Sequence, residues 1–217
     1  MCIRDRPTLL HASVPTVNDL HTPRLLLRGL QPHDFAQWSE VRKRCASWLT
    51  KWEPEATVGA PDPSQDPAAF AARCNARDRE RQLGTGFAWS MWHRGHFCGE
   101  INVNNVARGA FQSGHVGYWV DERWAGQGFI PEALVAVFGH AFDRAGLHRL
   151  EISIIPRNHS SRRVVEKLGI RYEGLAEGYL RIAGVWEDHV RFGITSEEWT
   201  QRREDLWQFV SDAAVTV

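Results

Sequence analysis

The chain is predicted to fold as one α/β domain built on a mixed central sheet with helices on both faces. Segments of strand and helix periodicity follow one another in the order β-α-α-β-β-β-α-β-α-β-β, with no internal repeat and no low-complexity tract. A length of 217 residues suits a single full core. No apolar run approaches the ~18 residues that a membrane-spanning helix needs.

The elements read as follows. Leu25–Leu30 is a short apolar strand entered through Thr22-Pro23-Arg24. Pro32-His33-Asp34 marks a helix start, and Phe35, Trp38, Val41 and Cys45 then recur at helical spacing. A connector rich in Trp and Pro spans Ser47–Glu55, and a Pro/Gly/Asp loop spans Gly59–Asp66. A second helix is expected over Pro67–Leu83 with Gly84 as its stop. Strands Gly86–His93 and His96–Asn104 form a hairpin at Arg94-Gly95. A strand at Val116–Val120 precedes a glycine-bearing loop and a helix over Pro131–Arg144, apolar over a wide arc as befits packing on a sheet. Arg149–Ile155 is a strand and Asn158–Leu168 a short helix closed by Gly169. Tyr172–Ile182 and Val185–Ile194 pair across Ala183-Gly184, and a last helix covers Ser196–Val210. The domain is drawn over 22–199, with an N-terminal segment 1–21 and a C-terminal helix or tail 200–217. Met1–Arg6 reads as the translated end of a sequencing adapter and is set aside.

Composition excludes several classes of function. The 26 basic residues balance 26 acidic ones, which argues against nonspecific nucleic-acid binding. Lysine occurs only at Lys43, Lys51 and Lys167, so the positive charge is nearly all arginine, read as the mark of a GC-rich genome. Four cysteines without a C-x-x-C pair suggest reduced thiols in a cytoplasmic protein. The scattered histidines contain no H-E-x-x-H, so no metal is expected.

The most informative stretch is Arg123-Trp124-Ala125-Gly126-Gln127-Gly128, placed between a strand and a helix. Two glycines at such a turn let backbone amides close on a ligand, and the helix N-terminus that follows favours an anion, above all phosphate. An ordinary tight turn is the alternative. A dinucleotide fingerprint would need a third glycine where Pro131 stands, and a Walker loop would need Lys-Ser/Thr where Phe129-Ile130 stands. Some thirty residues on, Asn158-His159-Ser160-Ser161 opens a helix as a capping motif.

The spacing R-x-x-G-x-G, with N-x-x-S at this distance, resembles the GNAT N-acetyltransferase superfamily. Narrower likeness, to its RimJ/RimL group and within that to the RimJ side, is carried by several stretches between about Thr22 and Trp199. These are Trp52-Glu53-Pro54; Asn102; Asn105-Val106-Ala107-Arg108-Gly109-Ala110-Phe111; Gly117-Tyr118; Glu132-Ala133-Leu134; Leu147-His148-Arg149; Glu173-Gly174; and Tyr179-Leu180-x-Ile182-x-Gly184-x-Trp186-x-Asp188-His189-Val190. The resemblance implies a GNAT fold, acetyl-CoA as co-substrate, and the N-terminal alanine of a small-subunit ribosomal protein as acceptor. It implies acetyl-CoA contacts from Tyr118, Trp119 and Val120, from Arg123, Gly126, Gln127, Gly128 and Phe129, and from Asn158 and Ser161.

In the implied reaction a free amide at Trp119 or Val120 polarises the thioester carbonyl. An α-amine loses its proton more easily than lysine by about 3.4 kcal/mol near neutrality, so a weak base or a water chain suffices. Glu53 is the first candidate base, Glu100 the second and the Asp188-His189 pair a third. Ser161 is the candidate acid for the leaving thiolate, with Tyr118, Tyr172 and Tyr179 as alternatives. The family's usual tyrosine is absent where Val165 and Glu166 stand. Trp48, Trp52 and Trp186 are candidate walls of the acceptor site. Two other readings stay open: acetylation of a small amine, which Glu53, Glu55, Asp62 and Asp66 would suit, and acetyl-CoA binding without turnover.

Overall fold

The computed structural model describes residues 19–55 and 59–215, so the reading of the first six residues lies outside the described residues. One eight-stranded sheet has the order β1-β2-β3-β4-β5-β6-β8-β7. Its strands are β1 Leu20–His21, β2 Leu26–Arg28, β3 Phe87–His93, β4 His96–Ala107, β5 Ser113–Val120, β6 Arg149–Ile154, β7 Arg171–Ile182 and β8 Val185–Thr195. The helices are α1 Phe35–Arg44, α2 Ala46–Leu49, α3 Pro67–Leu83, α4 Phe129–Gly139, α5 His159–Lys167 and α6 Ser196–Val215. All neighbouring strands are antiparallel except β5 and β6.

Local chemistry explains where the helices begin and end. The Asp66 carboxylate accepts the Ala68 amide at 2.8 Å ahead of Pro67, and Gly84 closes α3 in the left-handed region. Two apolar layers fix the helices to the sheet. On one face Leu134, Val137 and Phe138 of α4 and Trp199 of α6 pack with Ile101, Val116, Leu150 and Ile152. On the other, Trp38 and Val41 of α1 and Phe70 and Cys74 of α3 pack with Trp92 and Phe97.

The structure adds detail to the sequence expectation at several places. β1 was not foreseen, because two residues carry no periodicity. The helix expected through Arg144 widens into a π-turn at His140–Arg144, where the His140 ring packs edge-on against Phe87 and Trp89, each at 5.0 Å. The domain limit drawn at 199 falls inside α6, whose Leu206 and Val210 are buried in the main core.

Asp121 ends β5, fully buried. Its carboxylate takes Arg44 Nη1 at 3.0 Å and Nη2 at 2.7 Å, and the Arg123 amide at 2.9 Å. Burial alone would push this carboxyl up, but the guanidinium and the amide outweigh it and hold the group below the usual carboxylate range. The stabilisation is therefore complete above the unfolded pKa of about 3.9 and fades as pH falls through the depressed folded value. Arg44→Met is expected to cost about 2 kcal/mol at neutral pH, since Arg123 still satisfies part of the carboxylate. Urea unfolding of the two proteins at pH 7 and pH 3 should show the difference shrinking in acid.

Candidate active site

β5 and β6 are the two strands that open the site. They pair only from Ser113 to His115 against Arg149 to Glu151, although β5 runs on to Val120 and β6 to Ile154. Beyond those pairs the strands diverge, leaving a gap in the middle of the sheet. The Asp121 amide donates to the Cys98 carbonyl at 2.7 Å, which fixes the hydrogen-bonding phase of β5 against β4. Antiparallel alternation then turns the Trp119 amide toward β4, and the Tyr118 and Val120 amides toward the gap. The Val120 carbonyl, on that same side, accepts Trp48 Nε1 at 3.2 Å. Of the two amides proposed to polarise a thioester, Trp119's is committed to the sheet and Val120's faces the opening.

The glycine loop follows directly. Gly126 and Gly128 both have φ of 81°, and Gly128 is the N-cap of α4. Among the described residues nothing accepts a hydrogen bond from the amides of Gly126, Gln127, Gly128, Phe129 or Ile130. Five consecutive unengaged amides around two left-handed glycines, at the N-terminus of an 11-residue helix, fit the chemistry of a pyrophosphate. The Arg123 side chain, largely exposed, is drawn toward Asp121 and Glu40, each at 3.3 Å.

α5 carries the second arm. The Asn158 carboxamide accepts the Ser161 amide at 3.1 Å, so Asn158 is the helix cap. The Ser161 hydroxyl meets the Tyr118 hydroxyl at 2.7 Å. Burial pushes the Tyr118 phenol above its ordinary value, and the bond to Ser161 opposes that only in part. Two of the four candidate acids are thus one hydrogen-bonded pair, while Tyr172 is exposed and Tyr179 meets the His189 ring edge-on.

Each of the candidate bases is engaged. Arg42 grips Glu53 with two bonds of 2.6 and 2.7 Å. Glu100, 2% exposed, accepts Trp38 Nε1 at 2.7 Å and Arg73 Nη2 at 2.6 Å, which ties α1 and α3 to β4. Asp188 accepts the Gly178 amide at 2.8 Å and His189 Nδ1 lies 3.0 Å from the Glu187 carbonyl, both local to the β7–β8 hairpin. The acids of the 50–66 connector are also occupied: Glu55 faces Arg181 at 3.6 Å, Asp62 holds the Ser64 amide at 2.8 Å, and Asp66 caps α3.

Two contacts escaped the sequence reading because their partners are far apart in the chain. The connector is strapped to the tip of the β7–β8 hairpin by a Pro54–Ile182 bridge and by the Ala183 amide on the Glu53 carbonyl at 3.2 Å. Arg157 braces the strap, covering the Trp52 ring at 5.5 Å and pairing with Glu187 at 2.6 Å. Trp186 is largely exposed. The other contact joins Arg24 and the fully buried Glu132, 108 residues apart. The Glu-Ala-Leu after the loop was visible, but nothing marked Arg24 as its partner.

A sheet that opens beside a phosphate-sized cradle is the architecture of an acyl-CoA N-acyltransferase. The chain belongs to the GNAT acetyltransferase family, whose domain matches residues 24–171. It is an acetyl-CoA-dependent acyltransferase, and its relatives include enzymes of RimJ type. It is 30% identical over 195 residues to the ribosomal protein uS5-alanine N-acetyltransferase of Escherichia coli (strain K12), covering 88% of this chain and 97% of that one. Mycobacterium smegmatis RimJ, solved with CoA-disulfide, superposes with a TM-score of 0.79 at 31% identity, over 89% of this chain and 93% of the other. The ribosomal-protein-S5-alanine acetyltransferase of Vibrio fischeri does so with 0.75 at 26%, over 83% and 98%. Among the described residues no helix is long and apolar enough to cross a membrane, and no three His, Cys, Asp or Glu gather as metal ligands.

Proposed function

We propose that this chain moves the acetyl group of acetyl-CoA to the α-amine of a protein N-terminus, an alanine of a small-subunit ribosomal protein. The observation that carries the reading is the near-full-length match to a uS5-alanine N-acetyltransferase. Two features of the site agree with it. Among the described residues the candidate carboxylates Glu53 and Glu100 are each held by an arginine, and an α-amine asks less of a base than a lysine does. Of the connector acids that would attract a polycationic small amine, Glu53 and Glu55 face arginines, while Asp62 and Asp66 are occupied by backbone amides.

The Val120 amide would donate to the carbonyl oxygen where negative charge develops. Holding both reactants in one cleft supplies a further share of the rate. The amine gives up one proton before attack, to water or to a carboxylate freed from its arginine. The departing sulfur gains one from Ser161, whose hydroxyl Tyr118 orients, and Ser161 recovers a proton through water from the nitrogen, which sheds its second one as the amide forms. Tyr118→Phe is expected to lower kcat about tenfold with little change in the KM for acetyl-CoA, whereas Ser161→Ala lowers kcat further.

The test offers acetyl-CoA with a peptide bearing the N-terminus of the small-subunit protein, beside an Nα-blocked copy that retains its lysines. Thiol release with the free peptide alone supports the proposal. Release with the blocked copy, or with neither, refutes it for this acceptor.

A further inference from the structure

We infer that Arg24 is the positioning residue of the pyrophosphate loop, setting the direction of the Gly128 amide from beneath. The inference rests on the acetyl-CoA reading given above. Arg24 precedes β2, far from the loop in sequence, and its side chain is only 10% exposed. Glu132, in the first turns of α4 and fully buried, gathers the Thr22 hydroxyl, the Arg24 amide at 2.8 Å and Arg24 Nε at 2.7 Å. The guanidinium is therefore held on two sides, with the Phe129 ring 4.9 Å away on a third. From that fixed position Nη1 donates to the Gln127 carbonyl at 2.9 Å.

This last bond decides the geometry. A trans peptide unit points its C=O and its N–H in opposite directions. The Gln127 carbonyl and the Gly128 amide belong to one such unit. Drawing the carbonyl down onto Arg24 turns the Gly128 N–H away from Arg24, out of the loop and toward a ligand. The remaining nitrogen, Nη2, is buried with no partner among the described residues and lies 3.2 Å from where a Cβ on Gly128 would stand. Its N–H groups leave partial positive charge directly under the cradle. Glu132 balances the formal charge, so Arg24 is not an anion site of its own. It aligns the backbone that is one. His93 completes the mount, its Nδ1 lying 2.9 Å from the Arg24 carbonyl while its ring packs on Trp124 and Phe129.

Calorimetry on the full chain tests this with CoA and with pantetheine, which lacks the pyrophosphate, the latter by competition if weak. Arg24→Lys keeps a charge for Glu132 but cannot span to Gln127. Its Kd for CoA is expected to rise about tenfold, with the Kd for pantetheine unchanged. A CoA affinity equal to wild type overturns the inference, as does an equal loss for both ligands, which would mark a general loosening of the fold. Should the variant not fold, the wild-type chain decides: the Gly128 amide resonance should move on addition of inorganic pyrophosphate, and a stationary Gly128 signal overturns the inference. A wild-type chain that binds neither CoA nor pyrophosphate removes the acetyl-CoA reading itself, a result distinct from the others.

Discussion

Gly128→Val is expected to weaken acetyl-CoA binding by about a hundredfold, equivalent to roughly 2.7 kcal/mol. The residue has φ of 81°, where a β-branched side chain is a severe outlier. A Cβ there also meets Arg24 Nη2 at 3.2 Å, and that nitrogen cannot retreat because its guanidinium is anchored to Glu132 and to Gln127. The loop must therefore shift, and its run of amides loses common aim. Gly126 shares the same φ, but a Cβ on it meets nothing within 4 Å. Gly126→Ala should thus weaken binding by only about tenfold, from backbone strain alone. Calorimetric titration of both variants with acetyl-CoA checks the ranking. Equal losses at the two positions would mean that the support beneath Gly128 plays no part.

The loop was legible in the sequence because its chemistry is local. Two glycines, a preceding strand and a following helix lie within about twenty residues, and each signal is a short-range property of the backbone. The hairpins at Arg94-Gly95 and Ala183-Gly184 and the span of α3 were legible for the same reason. What stayed hidden were contacts made by long-range packing. Arg24 reads as a polar residue before a strand, and its duty follows only from a fold that sets Glu132 beside it. Glu53 and Glu100 looked available as bases because a sequence does not reveal that Arg42 and Arg73 reach them. The pairing of Tyr118 with Ser161 likewise depends on where α5 lies against the opened strand. The two residues were named as alternatives, whereas the geometry makes them partners.

The second large effect concerns α6, which the sequence placed partly outside the domain. Trp199→Ala is expected to destabilise the fold by about 3–5 kcal/mol, which for a chain of this size lowers Tm on the order of 10 °C. Trp199 is 1% exposed, packs on Phe138 and Phe142 with ring centroids 6.3 Å away, and donates its indole N–H to Asp143 at 3.0 Å. Its removal leaves a cavity against α4 and ends the indole bond to Asp143. The same helix reaches the site by another route: Arg202 donates to the Leu168 carbonyl at 2.7 Å and to the Gly169 carbonyl at 3.1 Å, securing the far end of α5. Since α5 begins at the helix turn that carries Ser161, a chain cut after 199 would lose this tie along with the burial of Leu206 and Val210. Thermal unfolding of W199A and of the truncated chain, each with and without acetyl-CoA, tests the point. If the truncated chain melts as the full one does, α6 beyond Trp199 is an appendage; a large drop in both would make it part of the acetyltransferase domain.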